Sequence, residues 1–373
     1  MKNILFLSSW YPSKVHATLG NFVQYHANAI ALKHKVYVLY IVPHEDKSFE
    51  ISNELISNVD TTIVYFNRGR FKYFNYLIAF RKGLSILINK RKISFDVAHM
   101  SILHPACWQA LYVNWKFKLP YIISENWHGL QDLSKYNIRG LRKYLIKLTI
   151  KKASFVCPVS IQLKKAIENA GFSGEFKVIP NVVDTTIFSL SSPKDQQCFT
   201  FLHVSTLTDS IKNISGIIDS FSKLKKDNVK LRIIGDGPNA WIQDKVDALN
   251  LSDKVLIEGE MSYEDISIAM KEASAFLLFS NIENLPLVLI ESMATGTPII
   301  TTNVGGISEI FDESKGIMID AGNQTQLIEA MNNMIENISN YNPETIREFA
   351  VSKFSKEVIA NQFDQLYKKA IIS

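Results

Sequence analysis

The stretch SNIENLPLVLIESMATGTPIITTNVGGISE, residues 280–309, decides the fold of this chain. It follows a short apolar run, Ala275–Phe279, that predicts a buried strand. Within it, Leu287–Thr295 has the pattern of a helix and Ile299–Thr302 predicts the next strand. A strand, a loop, a helix and a second strand in this order are typical of parallel α/β domains, in which ligands bind at the carboxyl ends of the strands.

Two glutamates of this stretch are the first candidates for a binding site. Glu283 is predicted in the loop after the strand, and Glu291 about one turn inside the helix. Backbone N–H groups at a helix start can hold an anion, and a carboxylate can accept both protons of a vicinal diol. A loop carboxylate, amides for phosphate and a second carboxylate for a diol suit a nucleotide sugar. The alternative is that Glu283 caps the helix and Glu291 lies on the surface.

Strand-length apolar runs and helical patterns alternate along both halves of the chain. The predicted strands are Ile4–Ser8, Val36–Ile41, Val97–Met100, Tyr121–Ser124, Phe155–Pro158, Lys177–Ile179, Phe199–Val204, Leu231–Ile234, Val255–Ile257, Ala275–Phe279 and Ile299–Thr302. The predicted helices include Asn21–Leu32, Ile161–Ala170, Ile214–Lys225, Ala240–Leu249, Tyr263–Glu272, Leu287–Thr295 and Gln324–Ile335.

This alternation predicts an α/β protein of two Rossmann-like, doubly wound domains with parallel sheets. A length of 373 residues also exceeds the usual size of a single core. The Ser/Pro/charged segment Ser189–Gln196 reads as the break between the domains. We therefore predict domains over residues 1–190 and 191–355, facing each other across a cleft.

Composition limits the class of protein. With 47% hydrophobic and 21% charged residues, the chain is predicted to be globular. Its three cysteines are widely spaced and form no metal-binding pattern, which is typical of free thiols in a reducing compartment. The start reads as a buried strand rather than a signal peptide, and no run approaches the roughly 18 to 20 apolar residues of a spanning helix. We expect a cytoplasmic protein.

The positive charge is concentrated in the first half. Residues 1–190 contain 25 Lys and Arg against 11 Asp and Glu, a charge of +14, whereas the remainder carries −9. Two segments, Arg68–Lys92 and Lys135–Lys152, contain no acid and mix basic with aromatic or leucine residues. Basic amphipathic helices of this kind can lie on an anionic membrane surface, here the inner membrane. The alternative is an ordinary solvated face; nucleic acid is a weaker interpretation, because no binding motif accompanies the charge.

Four motifs together resemble one family, the retaining glycosyltransferases of family 4, which have the two-domain GT-B fold. They are YPSKVHATLGNFV at residues 11–23, VIPNVVDTTIF at 178–188, LRIIGDGP at 231–238 and ENLPLVLIESMATGTPIITTNVGG at 283–306. The resemblance covers nearly the whole chain, and the last motif is its most specific part. It implies an acceptor-binding first domain, a nucleotide-sugar-binding second domain, and a final helix, about 356–373, that packs back on the first domain.

The resemblance gives the two glutamates their roles. It implies contact with the donor sugar and electrostatic assistance for Glu283, and binding of the ribose hydroxyls for Glu291. The intervening residues would shape the backbone around sugar and phosphate, with amides from all but the proline: Asn284, Leu285, Pro286, Leu287 and Val288.

Lys212 is implied to lie against the diphosphate of the donor. The family usually has an arginine about six residues earlier, where this chain has Thr206. A lysine can still neutralise a leaving diphosphate, but the bidentate clamp of a guanidinium is lost. The alternative for Lys212 is a solvated loop lysine.

Two glycines are candidates for close approach of the nucleotide. Gly20 opens the helix predicted at Asn21, where the absent Cβ and the helix N-terminus would favour a diphosphate. Gly235 follows the predicted strand Leu231–Ile234. An ordinary turn is the alternative for both glycines, and Asn21 could cap the helix or contact ligand.

Family members commonly carry a histidine after the strand that corresponds to Tyr121–Ser124. This chain reads SENWHG there, which places Asn126 at that position and His128 two residues later. We rank Asn126 ahead as a sugar contact, although it cannot carry a proton at neutral pH. His99 and His104 are interpreted as structural or as lying on the acceptor side.

The activity implied by the resemblance is transfer of a sugar from a nucleoside diphosphate, most commonly UDP, to a hydroxyl with retained configuration. The acceptor would be a glycan or lipid-linked glycan in bacterial surface polysaccharide synthesis, such as capsule or lipopolysaccharide. No cofactor and no metal are expected, and domain closure would exclude water. The alternatives are a noncatalytic nucleotide-sugar-binding or membrane-associated protein of this fold, and a nucleotide-sugar epimerase.

Overall fold

The computed structural model describes residues 1–45, 49–131, 133–190, 198–237 and 240–372. These residues form two units. Unit 1 consists of the chain up to Val182 together with the C-terminal segment from Lys356, and unit 2 runs from Val183 to Ser355.

The strands lie close to the positions that the apolar runs predict. Their bounds in chain order are β1 Asn3–Ser8, β2 Lys35–His44, β3 Glu50–Ile56, β4 Val59–Asn67, β5 Val97–Ser101, β6 Tyr121–Glu125, β7 Phe155–Pro158, β8 Phe199–Thr206, β9 Val229–Asp236, β10 Val255–Glu258, β11 Ala275–Leu278, β12 Ile299–Thr302 and β13 Gly316–Ile319.

The helices connect these strands. Their bounds are α1 Asn21–Ala31, α2 Lys72–Ser85, α3 Trp108–Phe117, α4 Leu141–Lys152, α5 Ile161–Asn169, α6 Asp209–Lys212, α7 Ile214–Phe221, α8 Ala240–Ala248, α9 Tyr263–Glu272, α10 Leu287–Ala294, α11 Gln324–Glu336, α12 Pro343–Phe354 and α13 Lys356–Ile372. A π-helical turn, Ile86–Lys90, continues α2, and single 3-10 turns lie at His128–Leu130, Ile307–Glu309, Glu313–Lys315 and Ile338–Asn340.

Each unit is built on one sheet among the described residues. The sheet of unit 1 has the order β3-β4-β2-β1-β5-β6-β7, and that of unit 2 the order β10-β9-β8-β11-β12-β13. All pairs are parallel except β3 with β4. The central strands are buried on both faces, as parallel strands covered by helices must be. The prediction of an α/β fold with parallel, doubly wound sheets is confirmed.

One predicted strand is wrong, and several elements were missed. The segment Lys177–Ile179 donates backbone hydrogen bonds to the carbonyls of Val156 and Pro158, but it forms only an isolated bridge at Phe176. It cannot extend its pairing because Pro180 follows, and proline has no N–H. The sequence did not predict the strands β3, β4 and β13 or the helices α3 and α12. Of these, β3 is an exposed edge strand, and α3 and α12 have weak amphipathic patterns.

The boundary between the units lies earlier than the predicted one after residue 190. The N–H of Val183 donates to the carbonyl of Phe354 at 2.9 Å, and Ser267 donates to the carbonyl of Ile187 at 2.7 Å. These bonds attach the segment after Val182 to unit 2. Of the linker predicted at Ser189–Gln196, residues 191–196 lie outside the described residues.

The final helix α13 packs against α1, β5 and β6 within unit 1. Its Tyr367 hydroxyl lies 2.6 Å from Nδ1 of His99, whose Nε2 lies 2.7 Å from the Ser124 hydroxyl. His99 is completely buried, and burial holds its pKa well below the usual value. It is therefore a core residue, which resolves its role as structural.

Within the described residues, no helix has the length and apolar character needed to cross a membrane. Cys107, Cys157 and Cys198 are free thiols, the first two of them buried.

Candidate functional site

The loop between β11 and α10 presents Glu283 to Lys212, the last residue of the short helix α6. Oε1 of Glu283 accepts a hydrogen bond from Nζ of Lys212 at 2.6 Å and from the Ser280 hydroxyl at 2.8 Å. The side chains of Lys212 and Glu283 are only 15% and 9% exposed. Lys212 is thus an ordered cation beside a carboxylate rather than a solvated loop lysine.

Hydrogen bonds between the loop of Glu283 and helix α6 fix this pair. The N–H of Asn281 donates to the carbonyl of Ile211 at 2.8 Å, and its side-chain amide donates to the carbonyl of Ser210 at 3.2 Å. On the other side, the Thr302 hydroxyl donates to the carbonyl of Ser280 at 2.7 Å. The ends of β8, β11 and β12 therefore hold the ion pair at the carboxyl edge of the sheet, where parallel α/β domains bind ligands.

Gly305 shows why the last motif contains a pair of glycines. It has a φ of +61°, and a Cβ there would lie 2.3 Å from the carbonyl oxygen of Glu283. The N–H of the next residue, Gly306, donates to the carbonyl of Asn284. A side chain at residue 305 would displace the backbone that carries the glutamate, so the glycine shapes the loop.

Glu291 is buried in α10 and lacks a hydrogen bond to one oxygen. It is 2% exposed, and its Oε1 has no partner among the described residues. Burial raises its pKa to about 8. The alternative of a surface residue is therefore wrong. An unsatisfied buried carboxyl oxygen is costly unless a ligand supplies a donor, which fits the ribose hydroxyls that the sequence predicts.

Replacement of Glu291 with glutamine should remove a pH-dependent part of the stability. Because the pKa of Glu291 in the folded protein lies above the ordinary 4.5, its proton stabilises the fold fully below about pH 4.5, and this contribution is lost as the pH rises to about 8. From about pH 5 to about pH 9, wild type should lose on the order of 3 kcal/mol relative to Glu291→Gln, measured by denaturant unfolding.

The control for this comparison is Glu336→Gln, because Glu336 is a well-exposed glutamate of the same unit. That variant should keep the pH profile of wild type. Parallel profiles for wild type and Glu291→Gln would contradict the burial argument.

The residues that start α10 lie where the sequence places them. Pro286 is the N-cap residue and has an extended backbone, and Leu287 and Val288 form the first turn. Leu285 is buried, at 4% exposure. The side chain of Glu283 bonds to Lys212 and Ser280, and the cap has no side-chain hydrogen bond, so the alternative of a helix cap is wrong.

The remaining candidates of unit 2 lie at the ends of β8 and β9. Thr206 is the exposed last residue of β8 and is paired with Asp236. Gly235 lies inside β9 rather than after it, and a Cβ there would lie 2.0 Å from the carbonyl oxygen of Ser205. The close approach of the neighbouring strand accounts for this glycine without a ligand.

The candidates of unit 1 lie at the carboxyl ends of β1 and β6. Gly20 is the N-cap of α1 with a φ of +80°, and a Cβ there would lie 2.8 Å from the backbone of Trp10. Asn21 is the first helical residue and not the cap. The side-chain amide of Asn126 donates to Oδ1 of Asn181.

His128 begins a 3-10 turn, and its side chain lies outside what the structure describes. The roles of Gly20, Asn21, Asn126 and His128 toward a donor stay predictions. Among the described residues, no group of three or more His, Cys, Asp or Glu side chains is placed to hold a metal ion.

Two features of the candidate sites were not predicted from the sequence. Ser280 begins the quoted stretch, and its hydroxyl was not recognised as a partner of Glu283. The aromatic neighbours of Asn126 also went unnoticed, although SENWHG places Trp127 directly beside it.

Comparison with known proteins identifies the families that match. The profile described as glycosyl transferases group 1 matches residues 162–348, which is half of the chain. The profile described as glycosyltransferase family 4 matches residues 19–187.

Individual relatives are distant in sequence. The N-acetyl-alpha-D-glucosaminyl L-malate synthase of Bacillus anthracis is 24% identical over 80% of each chain. The putative teichuronic acid biosynthesis glycosyltransferase TuaC of Bacillus subtilis is 24% identical over 74% of this chain and 69% of its own. Anabaena HepE, solved in complex with UDP and glucose, superimposes with a TM-score of 0.76 at 18% identity, covering 99% of this chain and all of its own.

Proposed function

Because the chain belongs to the glycosyl transferases group 1 and is a glycosyltransferase of the GT-B type, we propose that it moves a sugar from a nucleoside diphosphate to a hydroxyl with retained configuration. The observation that carries this proposal is the pairing of Lys212, at the end of α6, with Glu283 in the loop before α10, the helix that contains Glu291. These residues supply a cation, a carboxylate and a buried group that can accept hydrogen bonds from a diol.

The donor would bind unit 2 through its nucleotide. The ribose hydroxyls donate to the buried carboxyl group of Glu291 and give its unsatisfied oxygen a partner. Lys212 faces the diphosphate, and amides at the start of α10 lie beside the phosphate and sugar. Without ligand, Glu283 neutralises the ammonium of Lys212.

In the transfer step, the bond from the anomeric carbon to the diphosphate breaks as the bond to the acceptor oxygen forms on the same face. The proton of the acceptor hydroxyl passes to an oxygen of the departing diphosphate. Lys212 compensates the charge that develops there, and Glu283 stabilises the positive charge on the sugar.

Since these groups compensate the charge, we predict full activity after removal of divalent metals with a chelator.

Printed names of the relatives support a finer proposal. HepE was solved with UDP and glucose, which favours a UDP-hexose donor, and the name of the Bacillus anthracis relative contains an N-acetyl-alpha-D-glucosaminyl group, which favours N-acetylhexosaminyl transfer. TuaC is named for teichuronic acid biosynthesis. We therefore propose hexosyl or N-acetylhexosaminyl transfer from a UDP-sugar to a glycan or lipid-linked glycan of a bacterial surface polysaccharide.

A panel of nucleotide sugars tests this proposal. Thermal shift should identify donors that stabilise the protein, and Glu291→Ala should abolish most of the shift caused by UDP. Incubation with the labelled donor separates the alternatives. Slow release of free sugar supports a transferase, inversion at C2 would indicate an epimerase, and a bound but unchanged donor would indicate a noncatalytic protein.

Three neighbouring helices of unit 1 favour contact with an anionic membrane. The segments 68–92, 108–118 and 135–152 contain 17 Lys and Arg and no Asp or Glu. Large side chains on them are well exposed, notably Tyr73 at 73%, Trp115 at 71% and Leu141 at 71%. α2 and α3 pack together through Phe80 and Trp108, and α3 packs on α4. The helix of the third segment begins only at residue 141, because Asn137 and Gly140 have positive φ.

Vesicle sedimentation tests this contact. The protein should bind vesicles containing phosphatidylglycerol, and salt should weaken this binding. The double variant Phe71→Ser, Phe74→Ser should bind about tenfold more weakly, because two exposed aromatic anchors are lost. Leu55→Ser is the matched control, since Leu55 is an equally exposed apolar residue on β3. Equal binding to neutral phosphatidylcholine vesicles would contradict the proposal.

A further inference from the structure

Ring side chains gather at the carboxyl edge of the sheet of unit 1. Trp10 follows β1, His104 follows β5 and Trp127 follows β6, so three adjacent strands deliver them to one place. Phe22 from the start of α1 and Tyr136 complete the group. We call these five residues the aromatic cluster.

Trp127 is the centre of the aromatic cluster. Its ring stacks on His104 with a centroid distance of 5.3 Å and an angle of 15° between the planes. Trp10 and Tyr136 contact it edge-on at 6.2 Å and 4.8 Å, and Phe22 contacts Trp10 at 6.3 Å. These are the separations and angles at which aromatic rings attract each other.

A buried carboxyl group fixes the backbone under the aromatic cluster. Glu125 is completely buried, and its Oε1 and Oε2 accept hydrogen bonds from the N–H groups of Trp127 and Leu103 at 2.8 Å and 2.9 Å. Gly129 leaves space for the indole, because a Cβ there would lie 2.2 Å from the ring of Trp127. The rings are therefore held in place before any ligand arrives.

The aromatic cluster is only partly covered by protein. Trp127 is 8% exposed, whereas Trp10, Phe22, His104 and Tyr136 are half-buried. Burial and nearby Arg142 lower the pKa of His104, so its ring is neutral at physiological pH. Partly exposed rings that also carry polar nitrogen and oxygen atoms match a pyranose, which has an apolar C–H face and a rim of hydroxyls. An alkyl chain would leave the ring nitrogens of Trp10 and His104 without partners.

We propose that the aromatic cluster is the acceptor subsite, where a pyranose ring of a glycan acceptor packs on Trp10 and its neighbours. This inference rests on the proposed transferase function and gives the acceptor its chemical class. The position agrees with the rule that parallel α/β sheets bind ligands beyond the carboxyl ends of their strands.

Saturation-transfer NMR on the full chain tests the proposal without turnover. Methyl glycosides of glucose, galactose and N-acetylglucosamine serve as pyranose probes, and 1-pentanol serves as the alkyl probe. Irradiation of aromatic protons should saturate the axial C–H protons of at least one glycoside. Trp10→Ala should weaken this binding by about tenfold, the loss expected for one stacking contact with its buried area.

Matched variants separate binding from folding. Trp115→Ala removes an exposed tryptophan of α3 and should leave the saturation of the glycosides unchanged. Trp10→Phe should largely restore the saturation that Trp10→Ala loses. UDP binding, measured by thermal shift on the same samples, should stay as in wild type for Trp10→Ala. Since that measurement reports the donor site alone, failure of the acceptor subsite and failure of the proposed function give different results.

Four outcomes would overturn the proposal. They are no saturation of any glycoside by wild type, unchanged saturation in Trp10→Ala, an equal loss of UDP binding in that variant, or saturation that depends on Trp10 for 1-pentanol but not for the glycosides. The last result would assign the aromatic cluster to an alkyl chain instead.

Discussion

Glu283→Ala should lower the rate of sugar transfer on the order of a thousandfold while UDP still binds. The carboxylate faces the reacting sugar in the proposed mechanism, and removal of one preorganised charge from an active site costs about this much. The measurement is kcat with the donor selected by the panel, together with the thermal shift given by UDP. A kcat within about threefold of the wild-type value would contradict the role assigned to Glu283.

The matched control is Glu336→Ala. Glu336 also pairs with a lysine of unit 2, Lys226 at 3.2 Å, but the two side chains are 60% and 41% exposed. Loss of this surface pair should change neither kcat nor stability by much. The contrast shows whether the effect at residue 283 comes from its position in the site rather than from the loss of an ion pair.

Lys212→Ala should lower kcat about a hundredfold and also weaken binding of UDP. The ammonium neutralises the departing diphosphate, and no arginine stands at the position of Thr206 to share that charge. Steady-state kinetics and UDP titration measure the two effects. If Lys212 only holds Glu283 in place, kcat should fall while the affinity for UDP stays unchanged.

Stability gives an independent check on the pair. Either single variant leaves a charge of low exposure without its partner, which should cost roughly 2 kcal/mol in the free energy of unfolding. The double variant Lys212→Ala, Glu283→Ala removes both charges and should be more stable than either single variant, yet at least as inactive as Glu283→Ala. Lys226→Ala, with its exposed partner, should show neither effect.

The sequence predicted the strands and helices well where one pattern dominates. Runs such as Ile4–Leu7 and Ala275–Phe279 are continuously apolar because both faces of a parallel strand are buried. Periodicity failed for β3, whose residues are mostly exposed at the sheet edge and so carry little apolar signal. It also misjudged Lys177–Ile179, where the apolar residues are real but proline limits the pairing.

In the candidate site, too, some features could be predicted from local sequence and others could not. Spacing alone placed Glu283 in a loop and Glu291 in the following helix, because the seven residues 280–286 between the predicted strand and the predicted helix leave few alternatives. It could not predict that Lys212, 71 residues earlier, donates to Glu283. It also left ligand approach and an ordinary turn open for Gly235, whereas a Cβ there would meet the carbonyl of Ser205 on a neighbouring strand.

By itself, the sequence determined the class of fold, the order of the elements and the two carboxylates, since these depend on local periodicity and on residue chemistry. The tertiary structure decided which distant side chains meet. It paired Lys212 with Glu283, buried Glu291 without a partner for one oxygen, and gathered the aromatic cluster from three strand ends. The physical reason is that parallel pairing brings the carboxyl ends of strands together regardless of their separation along the chain.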